Sequence, residues 1–132
     1  MYKPFAIQQF LREFFEALAQ GAKSLFDYSG PLEVLEDSTN CFVAVAGRGV
    51  LSVDKASNTI KLRGRLIAPV KAVTSIEIKR SQDGDGNEVW KINLCLLRNQ
   101  RVEVGRLFDD IDASILGAKL STITEKTVAA VR

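Results

Sequence analysis

The middle of the chain alternates between apolar and polar residues with a period of two. Residues 90–96 read WKINLCL, and residues 59–66 and 74–79 follow the same alternation. This period is typical of strands with one face on a core and the other in solvent. The pattern predicts an antiparallel meander of about six or seven strands within residues 32–106. Turn-forming residues separate the strands at 47–49, 54–58, 83–87 and 98–100.

Helical spacing flanks this β-rich region on both sides. Residues 4–28 repeat apolar side chains at intervals of three and four, which predicts an amphipathic N-terminal helix. Residues 109–126 predict a C-terminal helix that begins at an aspartate N-cap, Asp109 or Asp110. This second helix carries two adjacent apolar stripes, one of Ile111, Ile115 and Ala118 and one of Leu116, Leu120 and Ile123.

These elements fit one domain over residues 1–132. A chain of 132 residues with 46% hydrophobic composition suits one core, since two cores would each be marginal. The fold class is therefore α+β, an antiparallel barrel or sandwich with a helix at each end. Alternate residues of a strand point to the same face of the sheet. This alternation predicts an inward face made of Trp90, Ile92, Leu94, Leu96, Ile76, Ile78, Val102 and Val104.

Composition excludes several kinds of catalytic site. The chain has no histidine, so histidine-based acid–base catalysis, Ser-His-Asp sites and histidine-ligated metals are ruled out. Cys41 and Cys95 lie in apolar runs and are expected to be reduced core residues. No phosphate-binding glycine motif occurs. We expect no enzyme, no catalytic residue, no metal and no cofactor.

Two acidic clusters have structural explanations. Residues 81–88 resemble the opening of a calcium loop, but Glu88 stands where that loop needs its glycine and Leu94 where it needs a glutamate. A hairpin turn accounts for the same residues. Asp109, Asp110 and Asp112 are explained by capping and by the positive end of the helix dipole.

The charge of the chain is concentrated in one segment. Residues 48–80 contain eight basic and two acidic residues, although the whole chain carries only +2. Lys61, Arg63 and Arg65 share one parity, so a single strand would place them on one face, where they could bind phosphates or an acidic partner. The alternative is a solvated sheet face that protects an edge strand from aggregation. No aromatic residue lies between the three, so there is no strong nucleic-acid signal.

The N-terminal segment is rich in phenylalanine. Five of the seven phenylalanines fall within the first 26 residues. The helix could pack on its own sheet, lie on a membrane surface or associate with a second copy. Its polar face is nearly neutral, which favours self-association over a membrane surface, where a basic face is usual. The candidate interface consists of Phe10, Phe14, Phe15 and Leu18.

Residues 48–126 also resemble a known family. The segments LRGRLIAPVKAVTSIEIKR and VWKINLCLLRNQRVEVGRLFDDIDASILGAKLSTIT are similar to bacterial pleckstrin-homology-like (PH-like) domains of uncharacterised, often membrane-tethered proteins. The resemblance implies a PH-like barrel and a binding or assembly role rather than catalysis. Unlike those proteins, this sequence has no transmembrane segment and carries an amphipathic helix in front.

The sequence thus favours a non-catalytic binding or assembly module that is homo-oligomeric through its N-terminal helix. The alternative is a peripheral membrane or polyanion-binding domain that uses residues 61–65, with an anionic lipid or a protein as partner. No secretory signal or membrane-spanning run is evident, so we expect a cytoplasmic protein, with attachment to a membrane surface as the alternative.

Overall fold

A computed structural model describes residues 31–131 as two β-sheets and one helix. Two short 3₁₀ turns lie at Val70–Ala72 and Leu97–Asn99. The helix, α1, spans Asp110–Thr124. The strands in this part of the chain are β1 (Glu33–Asp37), β2 (Cys41–Val45), β3 (Val50–Asp54), β4 (Thr59–Leu62), β5 (Arg65–Ala68), β6 (Val73–Gln82), β7 (Glu88–Leu96), β8 (Arg101–Leu107) and β9 (Val128–Val131).

The first sheet is an antiparallel meander of β1 to β5 in sequence order. Strands β2 and β3 pair from Cys41 opposite Asp54 to Val45 opposite Val50. The turn between them needs glycine, because Gly47 and Gly49 have φ values of 83° and 99°, which side chains rarely tolerate.

The second sheet has the strand order β8-β7-β6-β9. Strands β6 and β7 form a long hairpin, and β8 continues it antiparallel. After α1 the chain returns to the sheet as β9, which pairs parallel with β6. Strand β9 was not predicted from the sequence, because VAAV has no polar residue to show a period of two.

The core lies between the two sheets and α1 and contains the predicted inward face. Ile76, Ile92 and Leu94 are fully buried, and Leu96 and Val104 are buried with them. The remaining predicted residues pack against this cluster while keeping part of their surface: Trp90, Ile78 and Val102. The predicted sheet face is therefore confirmed.

Two glycines let α1 approach the second sheet closely. A Cβ atom at Gly105 in β8 would lie 2.8 Å from Leu116 Cδ2, and one at Gly117 in α1 would lie 2.8 Å from Ile78 Cδ1. Both distances are shorter than a normal carbon–carbon contact. A side chain at either position would force Leu116 or Ile78 to change rotamer, or the helix to move away from the strands.

The α+β class, the mostly antiparallel sheets and the C-terminal helix are confirmed. Residues 32–106 form eight strands rather than the predicted six or seven, because residues 59–66 fold as a hairpin and residues 33–37 add β1. The sheets meet where Arg106 N in β8 donates a hydrogen bond of 2.7 Å to Ala46 O after β2. Within residues 31–131 they keep separate strand orders and do not form a closed barrel. The predicted helix over residues 4–28 lies outside the described residues.

Candidate functional site

The predicted basic strand is not one strand. Strand β4 ends at Leu62 and β5 begins at Arg65. Between them Arg63 and Gly64 form a two-residue turn with φ values of 57° and 77°. Positive φ at both central residues is the geometry of the tight hairpin turns that match the twist of the strands. The prediction of a continuous strand over 59–66 is therefore wrong.

This turn separates the three basic side chains. Lys61 pairs with Leu66 and Leu62 pairs with Arg65, so Lys61 and Arg65 lie on opposite faces of the hairpin. Arg65 is exposed and Lys61 is half-buried. The Arg63 side chain packs over Gly49, where an added Cβ would lie 2.5 Å from Arg63 Cγ. The shared face expected for Lys61, Arg63 and Arg65 is not formed.

The candidates for the N-terminal interface fall within the first 30 residues. Phe10, Phe14, Phe15 and Leu18 all lie outside the described residues. Self-association through them stays a prediction.

The two apolar stripes of α1 have opposite environments. Leu116 and Leu120 are fully buried, and Ile123 is 5% exposed. By contrast Ile111 is 65% exposed and Ile115 is 41% exposed. The remaining outward positions are also exposed, and the outer face of α1 thus comprises Ile111, Ser114, Ile115, Ala118 and Thr122.

The outer face of α1 carries no charged residue. The charged residues of the helix lie instead at its first turn and along one flank. Asp109 Oδ1 accepts a hydrogen bond of 2.9 Å from Ile111 N, which confirms the predicted N-cap. On the flank, Asp112 Oδ2 accepts one of 3.1 Å from Leu32 N, and Lys119 forms an ion pair with Asp37 of β1. These contacts fix the helix to the first sheet and leave the outer face free of them.

The calcium-like segment is a hairpin turn, as predicted. Asp83 N donates to Asn87 O at 3.0 Å, and Asp83 Oδ1 accepts from the backbone N–H groups of Asp85 and Asn87, each at 2.9 Å. The Asp83 carboxylate therefore caps its own turn by accepting two backbone amides. Among residues 31–131, no group of three or more His, Cys, Asp or Glu side chains is placed to hold a metal ion.

A cleft of about 230 Å³ was not foreseen from the sequence. It lies where the β3–β4 turn, the 3₁₀ turn at Val70–Ala72 and the C-terminal end of α1 meet. Three lysines line it, together with Asn58 and Glu125: Lys55, Lys71 and Lys126. They are far apart in the sequence and share no motif, so only the fold brings them together.

The comparisons with known proteins give no family. The sequence matches no family model, no curated protein and no solved structure. Within the described part of the chain, no helix has the length and apolarity needed to cross a membrane. The resemblance to PH-like domains accordingly stays a prediction.

Proposed function

We propose that this protein is a non-catalytic binding and assembly module that associates with a second copy of itself. The outer face of α1 supports this proposal, because it is exposed and uncharged over its whole length. A helix that faces only solvent normally carries charged residues on its outer side, whereas a helix that is apolar on all sides is normally buried. Exposed apolar side chains that adjoin one another are a common feature of interaction sites.

A second copy fits this surface because large and small residues are arranged symmetrically on it. Ile111 and Thr122 lie equally far from the midpoint between Ile115 and Ala118. When two copies of α1 pack antiparallel about a two-fold axis at this midpoint, each isoleucine faces a smaller residue of the other copy. Such a self-complementary contact is what a two-fold interface requires.

The polar atoms on the outer face do not oppose this packing. Thr122 Oγ1 donates a hydrogen bond of 2.9 Å to Ala118 O, so the hydroxyl is satisfied within the helix. Ser114 and Ala118 are small and exposed, which allows two helix axes to approach to about 8–10 Å. Antiparallel helix dipoles also attract one another.

The size of the surface predicts a weak association. A stable interface buries roughly 800 Å² per partner, which is more than one face of a four-turn helix supplies. We therefore expect a mass that rises with protein concentration. Contacts elsewhere on the chain, including the predicted ones at Phe10 and Phe14, would strengthen the dimer.

Sedimentation equilibrium over a wide concentration range tests the proposal. The parent chain should exceed its monomer mass of 14.5 kDa at high concentration. The double variant Ile111→Ser/Ile115→Ser should raise the dissociation constant by at least about tenfold, because it removes the apolar area of the contact. Leu66→Ser/Leu97→Ser is the matched control, since these leucines are 63% and 59% exposed but lie off the helix.

Two results with the parent chain and the helix variants would refute the proposed interface. One is a parent chain that stays monomeric at the highest concentration, and the other is a control that dissociates as readily as the helix variant. The variant Phe10→Ser/Phe14→Ser tests the N-terminal interface separately. If it alone dissociates the dimer, the N-terminal prediction is correct and the helix proposal is wrong.

Binding of an anionic membrane or polyanion through Lys61, Arg63 and Arg65 is the less favoured function. The hairpin places Lys61 and Arg65 on opposite faces, so these two residues do not contact one flat anionic surface together.

A further inference from the structure

We propose that the lysine-lined cleft binds a small phosphate monoester with a compact apolar body. The cleft combines a buried apolar floor with basic side chains around it, which is the usual organisation of a small-molecule site. Its volume of about 230 Å³ restricts the ligand to a small molecule.

The floor of the cleft is apolar. Val70 is 6% exposed and Ile123 is 5% exposed, and both line the cleft. Thr124 also lines it, but its Oγ1 donates to Leu120 O at 2.6 Å and is therefore already satisfied. The floor thus favours a hydrocarbon group over a polar one.

The groups around the floor are mostly hydrogen-bond donors. Lys71 N donates to Asn58 Oδ1 at 3.0 Å, which fixes the Asn58 amide and leaves its NH₂ group as a donor. Lys71 and Lys126 line the cleft without forming an ion pair with any described residue. Lys55 is paired with Glu125 at 3.2 Å. A ligand that accepts several hydrogen bonds matches this set.

The charge of the cleft selects a dianion. Three lysines and one glutamate give a net formal charge of +2. A phosphate monoester carries close to two negative charges at neutral pH and presents three acceptor oxygens. The C-terminal end of α1 opposes this with about half a negative charge, which the net charge of +2 exceeds.

Calorimetric titration of the full chain with phenyl phosphate at low salt tests the site. We expect saturable binding that is weakened at least about tenfold in Lys71→Gln/Lys126→Gln, because two charge-assisted contacts are lost. Glu125→Gln should strengthen binding by up to about fivefold, because it removes a like charge and releases Lys55. Lys79→Gln, an exposed lysine on β6, is the control and should bind like the parent.

The opposite effects of the lysine and glutamate variants separate a binding site from lysines that only solubilise the surface. Absence of saturable binding would overturn the proposal, as would equal weakening by Lys79→Gln and by the double variant. Inorganic phosphate that binds as tightly as phenyl phosphate would contradict the role of the apolar floor. Benzoate that binds as tightly would contradict the choice of a phosphate dianion.

A phosphate monoester can come from a dissolved molecule or from a lipid headgroup. Co-sedimentation with phosphatidylcholine vesicles that contain phosphatidic acid distinguishes these sources. If the parent chain sediments with the vesicles and the Lys71→Gln/Lys126→Gln variant does not, the result would support the site with a lipid headgroup as its ligand. If the parent chain binds phenyl phosphate but does not sediment with the vesicles, the result would support the site with a dissolved molecule as its ligand.

Discussion

The inner and outer faces of α1 are built from similar residues but have opposite surroundings. Leu116 and Leu120 on the inner face are fully buried against the sheets, whereas Ile111 and Ile115 on the outer face are exposed. The inner face packs closely on the second sheet because Gly105 and Gly117 have no side chains. Nothing in residues 31–131 covers the outer face in the same way.

This difference shows that an apolar stripe can be recognised in a sequence, but the surface that the stripe contacts cannot. Helical spacing places Ile111, Ile115 and Ala118 on one side of the helix, but only the fold shows that this side is exposed. Within residues 31–131 these side chains lie outside the buried core, and their apolar surface is exposed.

The largest expected difference between the faces is in stability. Leu116→Ala should lower the free energy of unfolding by about 2–5 kcal/mol, because it leaves a cavity in a packed core. Ile115→Ala, on the outer face, should lower it by less than about 1 kcal/mol in dilute protein. Urea denaturation of both variants measures the two values. Similar losses would mean that the outer face is buried within the monomer.

The close contact of the inner face with β8 can be tested at Gly105. Gly105→Ala should destabilise the fold by about 1–3 kcal/mol, because its methyl group would meet Leu116, Ile92 and Ala46. Gly84→Ala is the control, since no atom lies within 4 Å of a Cβ at that position. Thermal unfolding compares the two, and equal melting temperatures would show that the helix has room to move.

A smaller loss of stability is expected at the N-cap, because the cap supports the first turn of the helix and thus both of its faces. Asp109→Ala should cost about 1 kcal/mol, because Ile111 N loses its 2.9 Å hydrogen bond. Asp109→Asn keeps an acceptor oxygen and should recover most of the loss. If the asparagine variant is as unstable as the alanine variant, Asp109 acts mainly through its charge on the helix dipole.

The smallest expected loss of stability is at Lys119, on the flank between the two faces of α1. Lys119→Ala removes the ion pair with Asp37, and exposed pairs contribute only about 0–1 kcal/mol. The loss should therefore stay below that of Asp109→Ala in the same denaturation experiment. A loss above about 2 kcal/mol would show that α1 depends on β1 for its position.

The strands and the core were predictable where the local pattern is unambiguous. Alternation in residues 90–96 identified β7 and its buried face, and the acidic start of α1 narrowed its cap to Asp109 or Asp110, of which Asp109 is the cap. Alternation did not reveal the turn at Arg63 and Gly64. A turn of two residues reverses the chain but leaves the apolar and polar residues alternating in the sequence. Strand β9 depends on pairing with β6, which no local pattern encodes.

The candidate sites were less predictable than the fold. Lys61 and Arg65 share a parity in the sequence, but the turn at Arg63 places them on opposite faces. Lys55, Lys71 and Lys126 lie on three different elements, so their cleft exists only in the folded chain. The outer face of α1 was visible as a stripe, but its exposure depends on how the sheets fill the core.

Disulfide formation at Ala118 tests the central claim most directly. In the antiparallel pairing the two copies of Ala118 flank the two-fold axis, within the roughly 7 Å between Cα atoms that a disulfide can span. With Cys41 and Cys95 replaced by alanine, Ala118→Cys should form a covalent dimer on mild oxidation, while Ser57→Cys, at the exposed β3–β4 turn, should stay monomeric. A monomeric Ala118→Cys chain, or equal cross-linking at both positions, would contradict self-association through the outer face of α1.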